Sequence, residues 1–186
     1  MHRYRGFTLI ELLIVMFVMA LLASVSLPDF SAMLENKRSD TTIKRLAQGI
    51  EFARVSAITT GSLVTLCRSS DGTECGGNWQ EGILIFTDSN GDRVINHQDR
   101  ILRHLTFAGL PGTLRWRAFQ NRQYLQITSQ GFTRYQNGNF TYCPSPNQLQ
   151  FARQLIINRS ARVRFAMDSD GDGFREDSRG RRIDCS

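Results

Sequence analysis

The longest hydrophobic stretch of this chain lies near its N-terminus. Between residues 7 and 27 the sequence is almost uniformly apolar, and Glu11 is its only charged residue. A helix rises about 1.5 Å per residue, so a stretch of this length spans the roughly 30 Å hydrocarbon core of a membrane. The pattern therefore predicts a transmembrane helix over residues 7–28.

Beyond Pro28 the apolar residues recur at spacings of three and four, which is typical of an amphipathic helix. These residues are Ile43, Leu46, Ala47, Ile50, Ala53, Ala57 and Ile58. We expect residues 29–60 to continue the helix and to pack this face on a sheet. Pro28 lacks a helical hydrogen-bond donor and predicts a bend, whereas Gly61 predicts the end of the helix.

After residue 61 the apolar residues fall into short runs separated by glycine, asparagine and proline, a pattern that predicts strands. The predicted strands cover residues 62–68, 82–87, 100–107, 113–119, 123–128, 140–143, 149–157 and 162–165. One long helix followed only by strands indicates an α+β fold, with the helix packed on an antiparallel sheet or a small two-sheet domain. Residues 61–186 are enough for one globular domain with its own core.

The four cysteines indicate an oxidising compartment, because they form no C-x-x-C pair and none lies beside a histidine. We infer disulfides between Cys67 and Cys75 and between Cys143 and Cys185. The second disulfide would hold the C-terminus against the domain.

The charged residues are unevenly distributed. Lys37 and Lys44 are the only lysines among 23 basic residues, so the others are arginines, and the net charge is +6. Between Arg93 and Arg164 there are eleven arginines and a single acid, Asp99. A solvated protein surface usually mixes both signs, whereas a stretch of one sign favours a polyanionic partner.

The N-terminus has a short basic leader, residues 1–6, that ends in a glycine before the apolar run. With Glu11 and Pro28 at their positions, it resembles the class III leader of type IV pilins and type II secretion pseudopilins. The resemblance implies that a prepilin peptidase cleaves after Gly6 and methylates Phe7. It also implies that Glu11 pairs with the N-terminal amine of a neighbouring pilin subunit. The alternative is a solvated Glu11 at the headgroup level of the membrane.

The resemblance and the charge of the leader together predict the location of the protein. Arg3 and Arg5 should stay in the cytoplasm, because basic residues flanking a transmembrane helix favour that side. The chain would then cross the inner membrane once, with its C-terminal domain in the periplasm, and enter a pilus at the cell surface. Its partners would be the inner membrane, the prepilin peptidase and other major and minor pilins.

The segment from Cys67 to Cys75, followed by Trp79, Gly82 and the strand leading to Asp88, resembles the GspH/FimT branch of the pilins. FimT minor pilins carry a Gly-Arg-x-Arg motif that is associated with DNA binding in natural transformation. The matching residues here are Ala161, Arg162, Val163 and Arg164, with alanine in place of the glycine. The resemblance therefore implies DNA as a partner, through Arg162 and Arg164.

Alternate residues of a strand share a face, so Arg162 and Arg164 should lie about 6.5 to 7 Å apart, close to the spacing of DNA phosphates. Arg159 would extend this row. A second cluster, Arg175, Arg179, Arg181 and Arg182, precedes Cys185 and would form the other wall of a phosphate-binding groove. The alternative is that arginines on an exposed edge strand only prevent pairing with other strands.

An acidic segment lies between the two arginine clusters. Asp168, Asp170 and Asp172 alternate and Gly173 follows, as at the start of an EF-hand calcium loop, but Arg179 occupies the twelfth position where such loops have glutamate. Glu176 or Asp177 would have to replace that ligand, so calcium is a candidate and no other cofactor is expected. The similar segment of residues 88–92 is interpreted as a turn.

The three histidines, His2, His97 and His104, form no recognisable catalytic motif, so neither an enzyme nor a small-molecule substrate is expected. The leading hypothesis is a FimT-like minor pilin that binds DNA non-specifically and contributes to natural transformation. The alternative is a structural minor pilin that primes pilus assembly, or a GspH-like minor pseudopilin of a type II secretion system.

Overall fold

A computed structural model of the chain describes residues 6–107 and 109–185, apart from the side chains of residues 25–29. The basic residues Arg3 and Arg5 therefore lie outside the described residues, whereas Pro28 lies within the long N-terminal helix and its bend stays a prediction. The chain divides into two compact units, Met1–Lys37 and Arg38–Ser186. The buried core of the described residues belongs to the second unit.

Helix α1 runs from Leu9 to Thr60, so it begins in the first unit and ends in the second. The sequence predicted that residues 7–28 of this helix cross a membrane. Among the residues that the structure describes, no helix is both long enough and apolar enough to do so.

In the second unit, α1 buries the predicted apolar face apart from one residue. Its buried members are Ile43, Leu46, Ala47, Ile50, Ala53 and Ala57. Ile58 was expected on the same face but is 46% exposed, because each residue turns the helix by about 100° and moves Ile58 away from the face that contains Ala57. Gly61 follows the helix with a φ of 65°, and this left-handed conformation confirms the predicted stop.

The part of the chain that the structure describes forms eight strands after the helix. They are β1 (Val64–Arg68), β2 (Gly82–Thr87), β3 (Ile101–Thr106), β4 (Thr113–Ala118), β5 (Tyr124–Ile127), β6 (Gly138–Cys143), β7 (Arg153–Ile157) and β8 (Val163–Phe165). Sheet A has the order β3-β2-β1-β5 and sheet B the order β4-β6-β7-β8. All neighbouring strands are antiparallel.

One predicted strand is too long at its start. Residues 149–151 were expected to begin the seventh strand, but they form a 3₁₀ turn. Phe151 N donates to Gln148 O and Ala152 N donates to Leu149 O, each at 3.0 Å. The turn follows a proline-containing loop. Its hydrogen bonds use backbone N–H groups that would otherwise pair with a neighbouring strand, so β7 begins only at Arg153.

The two sheets and the C-terminal part of α1 enclose one hydrophobic core. Trp79 lies within it, with its ring centroid 5.1 Å from that of Phe140 in a T-shaped contact, and Phe140 also contacts Trp116 at 4.5 Å. Leu66 of sheet A and Leu155 of sheet B are both fully buried in the same core. The predicted α+β fold, with an N-terminal helix packed on a two-sheet domain, is confirmed.

Both inferred cysteine pairs are bonded in the structure. Cys67 and Cys75 close a small loop after β1, and Cys143 joins the end of β6 to Cys185. Beside the second disulfide, Ile183 is only 3% exposed and packs in a small cluster with Cys143. The C-terminal tail is therefore held against sheet B by a covalent bond and by apolar contacts.

Candidate nucleic-acid interface

The two arginines at the centre of the DNA-binding prediction lie on the hairpin that joins β7 to β8. The turn is closed by hydrogen bonds from Ala161 N to Asn158 O at 3.0 Å and from Asn158 N to Arg162 O at 3.1 Å. Ala161 has a φ of 52° and is completely buried. The position at which the FimT motif has glycine thus takes a conformation that favours glycine, and alanine occupies it here.

Arg162 and Arg164 flank Val163, which is half-buried and packs against the core. Both arginines are exposed and project from the opposite, outer face of sheet B, because alternate strand residues share a face. Arg159 is exposed in the turn itself. Within the described residues, the side chains of these three arginines form no hydrogen bond or ion pair. Their charges are therefore available to a partner.

Strand β8 is an edge of sheet B, and a row of residues leads from it across the outer face. Arg164 lies opposite Ile156, Ile156 opposite Asn139, and Asn139 opposite Arg117. Arg115 shares that face, two residues before Arg117. These two β4 arginines were not predicted as part of the site, although their alternation with the buried Leu114 and Trp116 indicates that they point outward.

A groove of about 570 Å³ lies on this outer face. Its lining includes Arg115, Arg117, Asn139, Thr141 and Gln154 from the strands and Asp177, Arg179, Arg181 and Arg182 from the tail. Arg162 and Arg164 are not among the residues that line this groove, so a groove between the two arginine clusters stays a prediction. The tail lies instead beside the β4 arginines, and Arg115 Nη2 donates to the backbone oxygen of Asp184 at 3.1 Å.

Two of the tail arginines are engaged by carboxylates. Arg182 lies 2.6 Å from Asp172 and Arg181 lies 3.1 Å from Asp177. The backbone N–H of Phe174, together with the hydrogen bond and charge of Arg182, holds the pKa of Asp172 below its usual range. Because these acids are ionised at neutral pH, they neutralise part of the tail's positive charge. Arg181 and Arg182 are thus less available to a polyanion than the hairpin arginines.

The acidic segment brings four carboxylates together. One oxygen from each of Asp168, Asp170, Asp172 and Glu176 lies within 4.8 Å of the others. Glu176 Oε1 is buried and accepts no hydrogen bond from the described residues. A calcium ion bound here would have to compete with Arg182 for Asp172. Calcium binding stays a prediction.

The start of α1 shows a local role for Glu11. Thr8 N and Thr8 Oγ1 both donate to Glu11 Oε2 at 2.9 Å, and Glu11 N donates to Thr8 Oγ1 at 3.3 Å. This reciprocal pair is a capping box, which satisfies backbone donors that have no partner within the helix. In the single subunit, Glu11 therefore caps its own helix.

Comparison with known families gives two matches. The family described as "Type II transport protein GspH" matches residues 42–172, and the prokaryotic N-terminal methylation motif matches residues 1–27. No curated protein sequence matches the chain.

Solved structures of two proteins illustrate the similarity of this fold to known ones. The type IV minor pilin FimU of Pseudomonas aeruginosa is 16% identical with a TM-score of 0.52, over 73% of this chain and 92% of that chain. The minor pseudopilin EpsH from the type 2 secretion system of Vibrio cholerae is 11% identical with a TM-score of 0.51, over 72% of this chain and 99% of that chain. These structures confirm the pilin-like fold, and the GspH match spans most of the sequence. The chain therefore belongs to the family described as type II transport protein GspH, as its resemblance to FimT and GspH proteins predicted.

Proposed function

We propose that this protein is a FimT-like minor pilin of a type IV pilus that binds DNA through exposed arginines and contributes to DNA uptake in natural transformation. The observation that carries the proposal is the β7–β8 hairpin, where Arg159, Arg162 and Arg164 are exposed and form no ion pair within the described residues. The guanidinium group matches phosphate oxygens in geometry and charge. Binding of this kind is electrostatic and largely independent of DNA sequence.

In this proposal the leader is removed before assembly. A prepilin peptidase cleaves after Gly6, Phe7 becomes the methylated N-terminus, and the N-terminal part of α1 anchors the protein in the inner membrane with residues 61–186 in the periplasm. The match of the N-terminal methylation motif to residues 1–27 supports this step. On entry into a filament, Glu11 would exchange its contact with Thr8 for a neighbouring subunit's N-terminal amine.

The tail arginines have a secondary role in the proposal. Arg179 is exposed beside the β4 arginines, whereas Arg181 and Arg182 would first have to leave Asp177 and Asp172. Few strong contacts per subunit predict weak binding by one isolated molecule. A pilus that carries several copies would bind DNA more tightly, because linked sites raise the effective concentration.

The family match also supports a second candidate function. A structural minor pilin that primes pilus assembly, or a GspH-like minor pseudopilin of a type II secretion system, would have the same fold and N-terminus. In that case Arg162 and Arg164 would protect the exposed edge of β8 from pairing with other strands. This candidate predicts negligible DNA affinity at physiological salt.

The test is DNA binding by the full chain in detergent, measured by fluorescence anisotropy with a short labelled duplex. We expect the double variant Arg162→Gln/Arg164→Gln to bind roughly tenfold more weakly, because two phosphate contacts are lost. The matched control is Arg100→Gln/Arg103→Gln, which removes the same charge at the β3 edge of sheet A. If the control weakens binding equally, the proposed site is wrong, and if the wild type does not bind, the structural function is favoured.

A further inference from the structure

Two neighbouring grooves, of which the larger reaches the β7–β8 hairpin at Arg159, combine arginines with aromatic rings. The larger, of about 720 Å³, is lined by Phe132, Arg134, Tyr135 and Arg159. The smaller, of about 310 Å³, is lined by Arg93, Arg122, Tyr124, Arg134 and Tyr135. Because both include Arg134 and Tyr135, they form one continuous surface, which we call the arginine–aromatic track.

The aromatic rings of the track are unusually exposed. Phe132 is 50% exposed and Tyr135 is 67% exposed. Tyr135 also has a φ of 69°, a left-handed conformation that is a real outlier for a bulky residue. Strained backbone of this kind tends to be retained where a side chain has a functional position. The fold therefore presents these rings to solvent.

The track is held firmly to the hairpin that carries the proposed DNA site. Thr133 N and Thr133 Oγ1 donate to the backbone oxygen of Arg159 at 2.9 and 3.3 Å. Arg134 N donates to Gln126 O in β5 at 2.9 Å. The segment that carries the rings is thus fixed to sheet A on one side and to the hairpin turn on the other.

Arginines lie next to the rings along the whole track. The guanidinium carbon of Arg93 lies 4.9 Å from the ring centroid of Tyr124, and Arg134 is exposed between the two grooves. Proteins that bind single-stranded nucleic acid combine a basic groove for the phosphates with aromatic side chains on which bases stack. The bases of a duplex are already stacked on one another, so a base must be unpaired to reach such a ring.

We propose that the arginine–aromatic track binds single-stranded DNA, with bases stacked on Phe132 and Tyr135 and phosphates held by Arg134 and Arg93. This inference rests on the proposed function, which identifies DNA as the partner, and adds that the DNA bound by the track is single-stranded. The hairpin arginines contact the backbone of either form of DNA, whereas the track contacts unpaired bases. A neighbouring subunit in a filament is the competing occupant of these exposed rings.

The test compares two probes on the full chain in detergent, a labelled 15-base thymidine strand and a labelled duplex of the same length. We expect Phe132→Ala/Tyr135→Ala to bind the single strand at least about tenfold more weakly and to leave duplex binding unchanged within about twofold, since stacking on each ring is lost. Tyr135→Phe keeps the ring and should bind the single strand like the wild type. Phe119→Ala, which removes another exposed ring outside the track, is the matched control.

The results separate this inference from the proposed function. Suppose that the wild type binds duplex through Arg162 and Arg164 but that the loss of both rings does not weaken single-strand binding. The proposed single-strand site on the track is then wrong, and the proposed hairpin site is retained. If loss of the rings weakens single-strand binding and loss of the hairpin arginines does not weaken duplex binding, the proposed track site is retained and the proposed hairpin site is wrong. If Phe132→Ala/Tyr135→Ala weakens the binding of both probes equally, the rings do not act by stacking on unpaired bases, and the inference is wrong.

Discussion

The buried ion pair between α1 and sheet B offers a sharp test of how the domain is held together. Arg153 on β7 is only 3% exposed, and its Nε donates to Asp40 Oδ1 on α1 at 2.6 Å. Arg153 Nη1 also donates to the backbone oxygens of Gln150 and Ala152. Replacing Asp40 with alanine would leave this buried guanidinium without that carboxylate.

The expected cost follows from the burial of the arginine. Removing one partner of a buried ion pair typically costs about 3–5 kcal/mol, because the other charge stays buried without compensation. Asp40 is 29% exposed, and Arg153 keeps two backbone carbonyl acceptors. We therefore expect Asp40→Ala to lower the free energy of unfolding by about 3 kcal/mol, near the lower end of that range. Combining Asp40→Ala with Arg153→Met should cost clearly less than the sum of the single changes.

The assay is urea unfolding of residues 38–186, the unit that contains the described core. The control is Glu51→Ala on the same helix, which removes an exposed ion pair with Arg54 and should cost less than about 1 kcal/mol. The reasoning is refuted if Asp40→Ala costs no more than the control, or if the Asp40 and Arg153 changes are additive.

The same ion pair predicts how stability depends on pH. Partial burial of Asp40 opposes its ionisation, but the hydrogen bond and charge of Arg153 and the charges of Arg175 and Lys44 outweigh it, so the pKa of Asp40 lies below its ordinary value of 3.8. The stabilisation is therefore present above pH 3.8 and is lost as the pH falls through the lower pKa of the folded protein. Asp40→Ala should lose less stability than the wild type between pH 4 and 2.

Three further predictions concern separate parts of the chain. The bond between Cys143 and Cys185 joins residues 42 positions apart, so replacing both with alanine should lower the free energy of unfolding by about 4 kcal/mol in urea titrations. Ala161→Gly should change that free energy by less than about 1 kcal/mol, because relief of the left-handed strain offsets the lost burial of one methyl group. Glu11→Gln should keep the cap on Thr8 yet reduce incorporation into sheared filaments, measured by immunoblot against a Thr8→Ala control.

The local features of the fold were accessible from the sequence because they depend on neighbouring residues. Glycine, asparagine and proline marked the strand ends, and apolar spacing identified the buried face of α1. The errors also have local causes. Residues 149–151 bond to their own turn rather than to β6, and Ile58 lies one helical step beyond the buried face.

The candidate site was less accessible because its members meet through long-range pairing. No local pattern shows that Arg117 lies in register with Arg164 across sheet B, or that Asp172 neutralises Arg182. The alternation around Trp116 indicated only that Arg115 and Arg117 face away from the core. The arginine–aromatic track likewise depends on how loops from both sheets meet beside the hairpin.

The measurement that tests the central claim most directly is the salt dependence of duplex binding by the wild type and by Arg162→Gln/Arg164→Gln. Each phosphate neutralised by the protein contributes about 0.9 to the slope of log K against log salt concentration. If both arginines contact phosphates, the slope of the double variant should be shallower by about 1.8. Equal slopes for the two proteins, or wild-type binding that does not weaken with salt, would contradict DNA binding through this hairpin.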